Sequence, residues 1–410
     1  MSKSYRGPLE AKKITLASLN KKMSKITFID EADISNKKVL LRVDFNVSLT
    51  SDGRISDDTR IQQALPTINY LLVKNNTLII VSHLGSPQGL DPKLSLKPVA
   101  DRLQELLTDY KVELVEDFLT CKVSPYEAKK VFLLQNIRFY HEEKENNPEF
   151  AKKLAALAEV YVNDGFGVCH RNDASIVGVS QYLPSYGGLL LIKEIQTISQ
   201  TIDNPKRPFV VIMGGAKVST KINLVEKLIG LADYLLIGGA MANTFWQAKE
   251  IGVGKSLVEK DYLVPAKILL EKSLGKIILP VDCLVGLADD KFTLGLVKKP
   301  GEIKPEEIIL DIGPETTNRF KEIIGQARTI IWNGPIGYFE NVQYRKGTDG
   351  IYQAIVDNHQ AISIVGGGDT LTAISGKADN KKITHLSTGG GAMLEFIEKG
   401  TLPGIEALTK

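Results

Sequence analysis

Phe209-Val210-Val211-Ile212-Met213-Gly214-Gly215-Ala216-Lys217 decides the fold: five apolar residues, then a glycine pair, then a cation. The run is too short for a helix and shows no polar alternation, so it reads as a strand buried on both faces, the habit of parallel sheets. The same figure recurs on either side. Strands are expected at 234–237, 277–279, 329–332 and 362–365 toward the C-terminus, and at 39–43, 78–82, 131–134 and 160–163 toward the N-terminus. Helical patterns fill the intervals, which is the βαβ alternation of α/β proteins.

Two such series, in a chain of 410 residues that exceeds what one core usually organises, predict two doubly wound, mainly parallel-sheet, Rossmann-like lobes. The lobes are expected at 26–187 and 208–392. Between them, 188–207 reads as a hinge helix at 189–202 leading into Asp203-Asn204-Pro205-Lys206-Arg207-Pro208. Residues 1–25, with seven lysines and arginines and no apolar core, read as a flexible extension, and Met23 opens a second Met-Ser-Lys.

Composition excludes several classes. The 51 Lys and Arg against 48 Asp and Glu leave a formal charge of +3, so no global field recruits nucleic acid or an anionic membrane. No apolar stretch approaches the roughly 20 residues of a membrane span. Cys121, Cys169 and Cys283 are odd in number and not spaced as zinc ligands; they read as core thiols of a reducing, cytoplasmic compartment.

Ligands of open α/β sheets bind beyond the carboxyl ends of the strands, so the residues after each run carry the chemistry. In the first half these are Arg42, Asp44 and Asn46, then His83, Arg138, His170 and Arg171, with Arg60 in the helix-like segment after the first strand. Any one arginine could pair with a surface carboxylate, and Asp44 and Asn46 could be turn residues. Their repetition at one sheet edge instead predicts a site for a small, highly anionic metabolite, since guanidinium forks bind carboxylate and phosphate bidentately.

The second half collects glycines. Gly214-Gly215-Ala216-Lys217-Val218-Ser219-Thr220-Lys221, Gly238-Gly239-Ala240, Asn333-Gly334-Pro335-Ile336-Gly337, Gly366-Gly367-Gly368-Asp369-Thr370 and Gly389-Gly390-Gly391 follow successive runs. Glycine lets backbone N–H groups approach phosphate, and Asp369, opening a helix, is placed to hold the Mg²⁺ carried by a nucleotide or merely to cap that helix. Standard fingerprints are missing. Gly252-Val253-Gly254-Lys255-Ser256 imitates the end of a P-loop, but Lys249 stands where its first glycine should be. No G-x-G-x-x-G follows a strand, which disfavours a dinucleotide oxidoreductase. The two halves together read as phosphoryl transfer between a magnesium nucleotide and a polyanion.

Arg-Val-Asp-Phe-Asn-Val (42–47), Ser-His-Leu-Gly (82–85), Val-Asn-Asp-Gly-Phe-Gly (162–167), Gly-Gly-Ala-Lys-Val (214–218), Trp-Asn-Gly-Pro (332–335), Gly-Gly-Gly-Asp-Thr (366–370) and Ser-Thr-Gly-Gly-Gly-Ala (387–392) together resemble phosphoglycerate kinase, in unbroken order from about residue 26 onward. The resemblance implies a monomeric, cytoplasmic glycolytic kinase that moves the acyl phosphate of 1,3-bisphosphoglycerate to MgADP, giving 3-phosphoglycerate and ATP. It assigns Asp44, Phe45, Asn46, Arg60, His83, Leu84, Gly85, Ser86, Arg138, His170 and Arg171 to phosphoglycerate. Gly215, Lys217, Lys221, Gly239, Gly313, Asn333, Pro335, Glu340, Gly367, Gly368, Asp369 and Thr370 go to the nucleotide, with Asp369 on the metal. Arg60, Lys217, Gly368 and Gly391 would stabilise the transferring group, hinge closure would exclude water, and 393–410 would pack back on the first lobe.

The chain departs from the family pattern at Ser86, where arginine is usual, and at Ser48, Gln135 and Gly165 for the usual Pro, Glu and Ala. Losing the arginine at 86 predicts weaker phosphoglycerate binding.

Overall fold

The structure is a computed structural model, and it describes residues 26–120, 129–287 and 295–409. Residues 1–25 and Cys121 lie outside the described residues. In the first half, β1 (Lys38–Arg42) is followed by a small hairpin of β2 (Ser48–Leu49) and β3 (Ile55–Asp57). Then come β4 (Thr77–Val81), β5 (Lys111–Val115), β6 (Lys130–Leu134), β7 (Val160–Asn163) and β8 (Ser185–Gly187). The six-stranded sheet runs β5-β6-β4-β1-β7-β8, with every pair parallel.

The second half repeats the plan with β9 (Phe209–Met213), β10 (Tyr234–Ile237), β11 (Ile277–Ile278) and, after an insertion, β15 (Thr329–Asn333), β16 (Ile362–Gly366) and β17 (His385–Ser387). Its parallel order is β11-β10-β9-β15-β16-β17. The insertion is an antiparallel sheet of β12 (Cys283–Leu287), β13 (Leu296–Lys298) and β14 (Glu307–Ile312). The chain is therefore α/β with two parallel sheets, as the buried runs predicted.

Runs buried on both faces were legible, as was the edge strand β11; the other edges and the insertion were not. β5 is partly exposed, β8 and β17 are three residues each, and β12 carries a bulge between Leu284 and Val285 that breaks its periodicity.

A helix, Leu189–Asp203, leaves the first sheet and reaches the second. Its start is capped from outside: Asp164 Oδ1 accepts from Leu190 N at 2.9 Å and Leu191 N at 3.0 Å, while Thr67 Oγ1 accepts from Leu189 N at 3.0 Å. The tail returns to the first half, where Gly404 N donates to Cys169 O at 2.8 Å and Gly404 packs against Ile176. Cys169 and Cys283 are buried, and burial pushes both thiols up to about 12.

Candidate active site

Strand register builds both halves of the site. Arg42 pairs with Val81 and with Asn163, so Asp44, His83 and Asp164 leave the first sheet at one edge. Arg42 corrects the expectation that it joins the ligand-facing cations. It is fully buried, its Nε donates to Ser175 Oγ at 2.9 Å, and its Nη1 donates to Val43 O and to Val81 O at 3.4 Å. This guanidinium clamps the exits of β1 and β4 together.

Asp44 is the hub of the edge. One oxygen pairs with Arg60 Nη1; the other accepts from Asn46 N at 3.1 Å and lies 3.8 Å from His83 Nδ1. Burial pushes the Asp44 carboxyl up, but Arg60, His83 and Arg42 together hold it down at about 2. His83 is buried, which lowers its pKa well below the ordinary value despite Asp44.

Asn46 Oδ1 accepts from Gly85 N at 2.8 Å, leaving its amide NH₂ as a donor. Phe45 and Leu84 are core side chains with engaged N–H groups: Phe45 N donates to Ser82 Oγ and Leu84 N to Asn136 Oδ1. Sequence alone does not separate these two anchors from the polar residues beside them.

Arg138 is 4% exposed, and its Nη1 donates to Gly85 O at 2.7 Å and Ser86 Oγ at 3.4 Å. Its Nε and Nη2 are buried without a hydrogen-bond partner, and Nη2 stops 3.9 Å from Asp173 Oδ2. Burial, then neighbouring Arg171 and Arg42, lower its pKa to about 10. Burial and Arg171 likewise lower half-buried His170, while Arg171 is exposed. Two unanswered nitrogens of one buried guanidinium, inside a patch of like charge, describe a receptor for an anion.

In the second sheet, Asn333 pairs with Met213 and with Gly366, and Gly366 with Ser387, so the glycine loops leave together. Several of these glycines serve the loops themselves. Gly214 N donates to Asn333 O and Gly215 N to Pro335 O, both at 3.0 Å, while Gly239 N donates to Ile336 O at 2.8 Å. A Cβ at Gly214 would stand 2.1 Å from Pro335 O. Gly313 N donates to Asp282 O, and Gly313 is buried against that carboxylate. Lys221 Nζ donates to Gly214 O at 2.6 Å and Asn333 Oδ1 at 3.3 Å; burial lowers its pKa to about 8, against the pull of Asp369.

Gly367, at φ +113°, adopts a conformation suited to glycine and precedes the helix Gly368–Ile374. Asp369 sits exposed in its first turn rather than at the cap, and Thr370 is buried, accepting from Gly334 N at 2.8 Å.

Three clefts meet at Asp369. One of about 1070 Å³ lies between the halves and is lined by Asn46, Arg60, Gly368, Asp369 and Thr388. A second, about 670 Å³, is lined by Lys217, Lys221, Asn333, Gly367, Thr370 and Gly391 as well. The third, about 560 Å³ and more apolar, carries Gly239, Trp246, Leu257, Leu310, Pro335 and Glu340. Leu310 to Ile312 line it, whereas Gly313, the next residue, is not part of its lining. His83, Arg138, His170 and Arg171 do not line the cleft between the halves; His83 faces the Asp44 oxygen that Arg60 does not hold, and Arg171 acts electrostatically on both Arg138 and His170. Sequence reading missed Glu194, Glu259, His385 and Thr388; only Glu194, an acid on the apolar stripe of its helix, carries a local signal.

A bilobal α/β protein with an anion receptor on one sheet and glycine loops with lysines on the other is the architecture of a small-metabolite kinase. A family model described as phosphoglycerate kinase matches residues 29–400, and the chain belongs to that family. It is 46% identical over 394 residues to a phosphoglycerate kinase of Dictyoglomus turgidum, covering 94% of this chain and 99% of that one. It is 44% identical over 393 residues to the cytosolic phosphoglycerate kinase 3 of Arabidopsis thaliana, covering 93% and 97%. Among solved structures, the phosphoglycerate kinase of Coxiella burnetii matches at 40% identity and a TM-score of 0.79, covering 94% of this chain and 99% of that one. That of Pyrococcus horikoshii matches at 32% and 0.83, covering 93% and 98%. The protein is thus a glycolytic kinase by family. Among the described residues, no helix is long and apolar enough to cross a membrane.

Proposed function

We propose that this enzyme transfers the acyl phosphate of 1,3-bisphosphoglycerate to MgADP, reversibly, giving 3-phosphoglycerate and ATP. The observation that carries the reading is the convergence of three clefts on Asp369, with Arg60 on one side and Lys217 and Lys221 on the other. The first lobe, 26–187, binds phosphoglycerate at Asp44, Asn46, Arg60, His83, Arg138, His170 and Arg171. The second, 208–392, binds the nucleotide: adenosine in the apolar cleft beside Glu340, phosphates toward Lys217, Lys221 and Gly367 to Thr370.

The acyl phosphate is already activated, so no covalent nucleophile is required and catalysis is positioning and charge neutralisation. A β-phosphate oxygen of ADP attacks phosphorus as the bond to the carboxyl oxygen breaks. Arg60 and Lys217 neutralise the equatorial oxygens, and the first-turn N–H groups of Gly368 and the neighbouring Gly391 complete the cradle. Asp369 fits a magnesium ion that arrives with the nucleotide, because it is an exposed hard oxygen donor at the meeting of the clefts; that ion supplies further neutralisation of phosphate charge.

Closure of the lobes brings the two ligands into line and expels water. Contacts already bridging the halves support it: Ser375 Oγ donates to Asp57 Oδ2 at 2.7 Å and Gln63 Nε2 to Leu386 O at 3.3 Å. The contact of Gly404 with Cys169 supports a tail that couples the lobes. Relatives named cytosolic support a cytoplasmic location, and we read the working form as a monomer.

The test is a coupled assay with 3-phosphoglycerate, ATP and Mg²⁺ on wild type, Arg60→Ala and Lys217→Ala. Robust wild-type turnover falling by about 10²-fold or more in each variant supports the reading. An inactive wild type, or a variant with undiminished kcat, sinks it.

A further inference from the structure

The segment that imitates a P-loop, Gly252 to Ser256, has a different employment. Lys255 N donates to Glu307 O at 2.8 Å and Ser256 Oγ accepts from Ile309 N at 2.9 Å, fastening it to the antiparallel sheet. Lys255, Ser256 and Leu257 then form part of the wall of the apolar cleft. Two residues further on comes Glu259, whose own N–H donates to Thr244 Oγ1 at 3.2 Å.

The Glu259 carboxylate does not face the cleft lining. It accepts from Val218 N at 2.5 Å, from Ser219 N at 3.0 Å and from Ser219 Oγ at 2.5 Å. These are the residues directly after Lys217, so the N–H groups of this turn are taken by the protein's own anion and not left for phosphate. Charge-assisted bonds from paired N–H groups to a carboxylate are about twice as strong as neutral ones, and they fix the turn's orientation. Val218 is wholly buried, and Lys221 N donates back to Val218 O at 2.8 Å, so the turn has one anchor in the core and one in Glu259.

We propose that Glu259 is a positioning residue for the phosphoryl-transfer lysine: it holds the 217–221 turn so that Lys217 meets the transferring group, and it ties that turn to the wall of the nucleotide-base cleft. The inference rests on the role given to Lys217 above. Partial burial would raise the Glu259 carboxyl, but Ser219 and Val218 as donors and the nearby Lys217 ammonium hold it below its ordinary value, which keeps the anchor ionised at neutral pH. A long lysine stem has many rotamers, and a displacement of the base of that stem by about 1 Å is enough to cost on the order of 10²-fold in rate.

The experiment is a double-mutant cycle on the full chain, with kcat and both KM values measured by the coupled assay. Glu259→Ala should lower kcat by about 10- to 100-fold with the KM for 3-phosphoglycerate unchanged. In a Lys217→Ala background it should lower kcat no further, because the residue it positions is gone. Glu259→Gln, which keeps the acceptor and the shape, should recover most of the lost rate. Should Glu259→Ala fail to fold, Ser219→Ala takes its place and should lower kcat about threefold in wild type and not at all in Lys217→Ala. The proposal is overturned if the substitution leaves kcat unchanged, or if it costs the same factor in both backgrounds. Because Lys217→Ala is read by itself in the same cycle, an undiminished kcat there overturns the role of Lys217 and not the anchoring of the turn.

Discussion

Glu194 Oε2 lies 2.6 Å from His385 Nε2, and the pair joins the helix that leaves the first sheet to the last strand of the second. The other carboxylate oxygen accepts from Thr388 N at 2.8 Å and Thr388 Oγ1 at 2.9 Å, so one buried side chain holds the exit of β17 just where it turns into Gly389-Gly390-Gly391. Thr388 O in turn lies beside Gly167, where an added Cβ would meet it at 3.1 Å and would also meet Asp44 Oδ2 and Arg60 Nη1. A continuous run of contacts therefore leads from the connecting helix to the Arg60–Asp44 pair.

Glu194→Ala should be destabilising as well as slow. It leaves His385, Thr388 N and Thr388 Oγ1 without an acceptor in a closed core, and each stranded group costs about 1–3 kcal/mol. Urea denaturation should show a loss of roughly 3–5 kcal/mol in unfolding free energy. An unchanged midpoint would mean that water or another acceptor replaces the carboxylate.

Asp44 carries a pH signature. Its folded pKa of about 2 lies below the unfolded value near 3.8, so its contribution to stability is fully present above about pH 4 and is lost as pH falls through about 2. Titrating wild type and Asp44→Asn in urea should show a stability difference on the order of 2 kcal/mol at pH 6 that shrinks between about pH 4 and pH 2. A difference constant over that range would show that Arg60 does not hold the carboxylate ionised.

How much of this was readable from residue order alone depends on burial. Runs such as Phe209–Met213 and Val160–Asn163 announce themselves because both faces are covered, and their exits follow from parallel register. Arg42 and Arg60 are indistinguishable in a sequence, yet one is a fully buried clamp and the other lines the largest cleft; strand direction at residue 42 decides it. The acids that matter most for geometry were silent. Glu259 reaches back 40 residues to Ser219 and Glu194 forward 194 to Thr388, and contacts at such separation leave no local pattern. The glycine clusters were over-read as phosphate donors, since several N–H groups in them bind neighbouring loops.

Lys221 should give nucleotide binding an alkaline limb. Burial lowers its pKa to about 8, so the free enzyme loses this positive charge as pH rises through that value. Affinity for ATP without metal should weaken above about pH 8 in wild type and be flat there in Lys221→Met. The stability sign is opposite: between about pH 8 and 10.5 the unfolded chain binds more protons, so the native state gains stability with pH until the unfolded lysine also titrates. Calorimetric titration at pH 7 and pH 9 separates the two; equal affinities in wild type would show that the ammonium does not meet phosphate.

Ser86 offers a gain-of-binding test. It is exposed, and its Oγ lies 3.4 Å from Arg138 Nη1, next to the guanidinium whose Nε and Nη2 have no hydrogen-bond partner. An arginine there, as in the family pattern, would add a charge-assisted contact to the anion worth about 1.5–3 kcal/mol, set against repulsion from Arg138 and Arg171 when the site is empty. Because an anion neutralises that repulsion on binding, the contact should favour the bound state more than the free one. Ser86→Arg should therefore lower the KM for 3-phosphoglycerate by about tenfold or more, leave kcat within about twofold, and slightly destabilise the ligand-free protein. An unchanged KM would show that Arg138, with the cations beside it, already saturates the anion receptor.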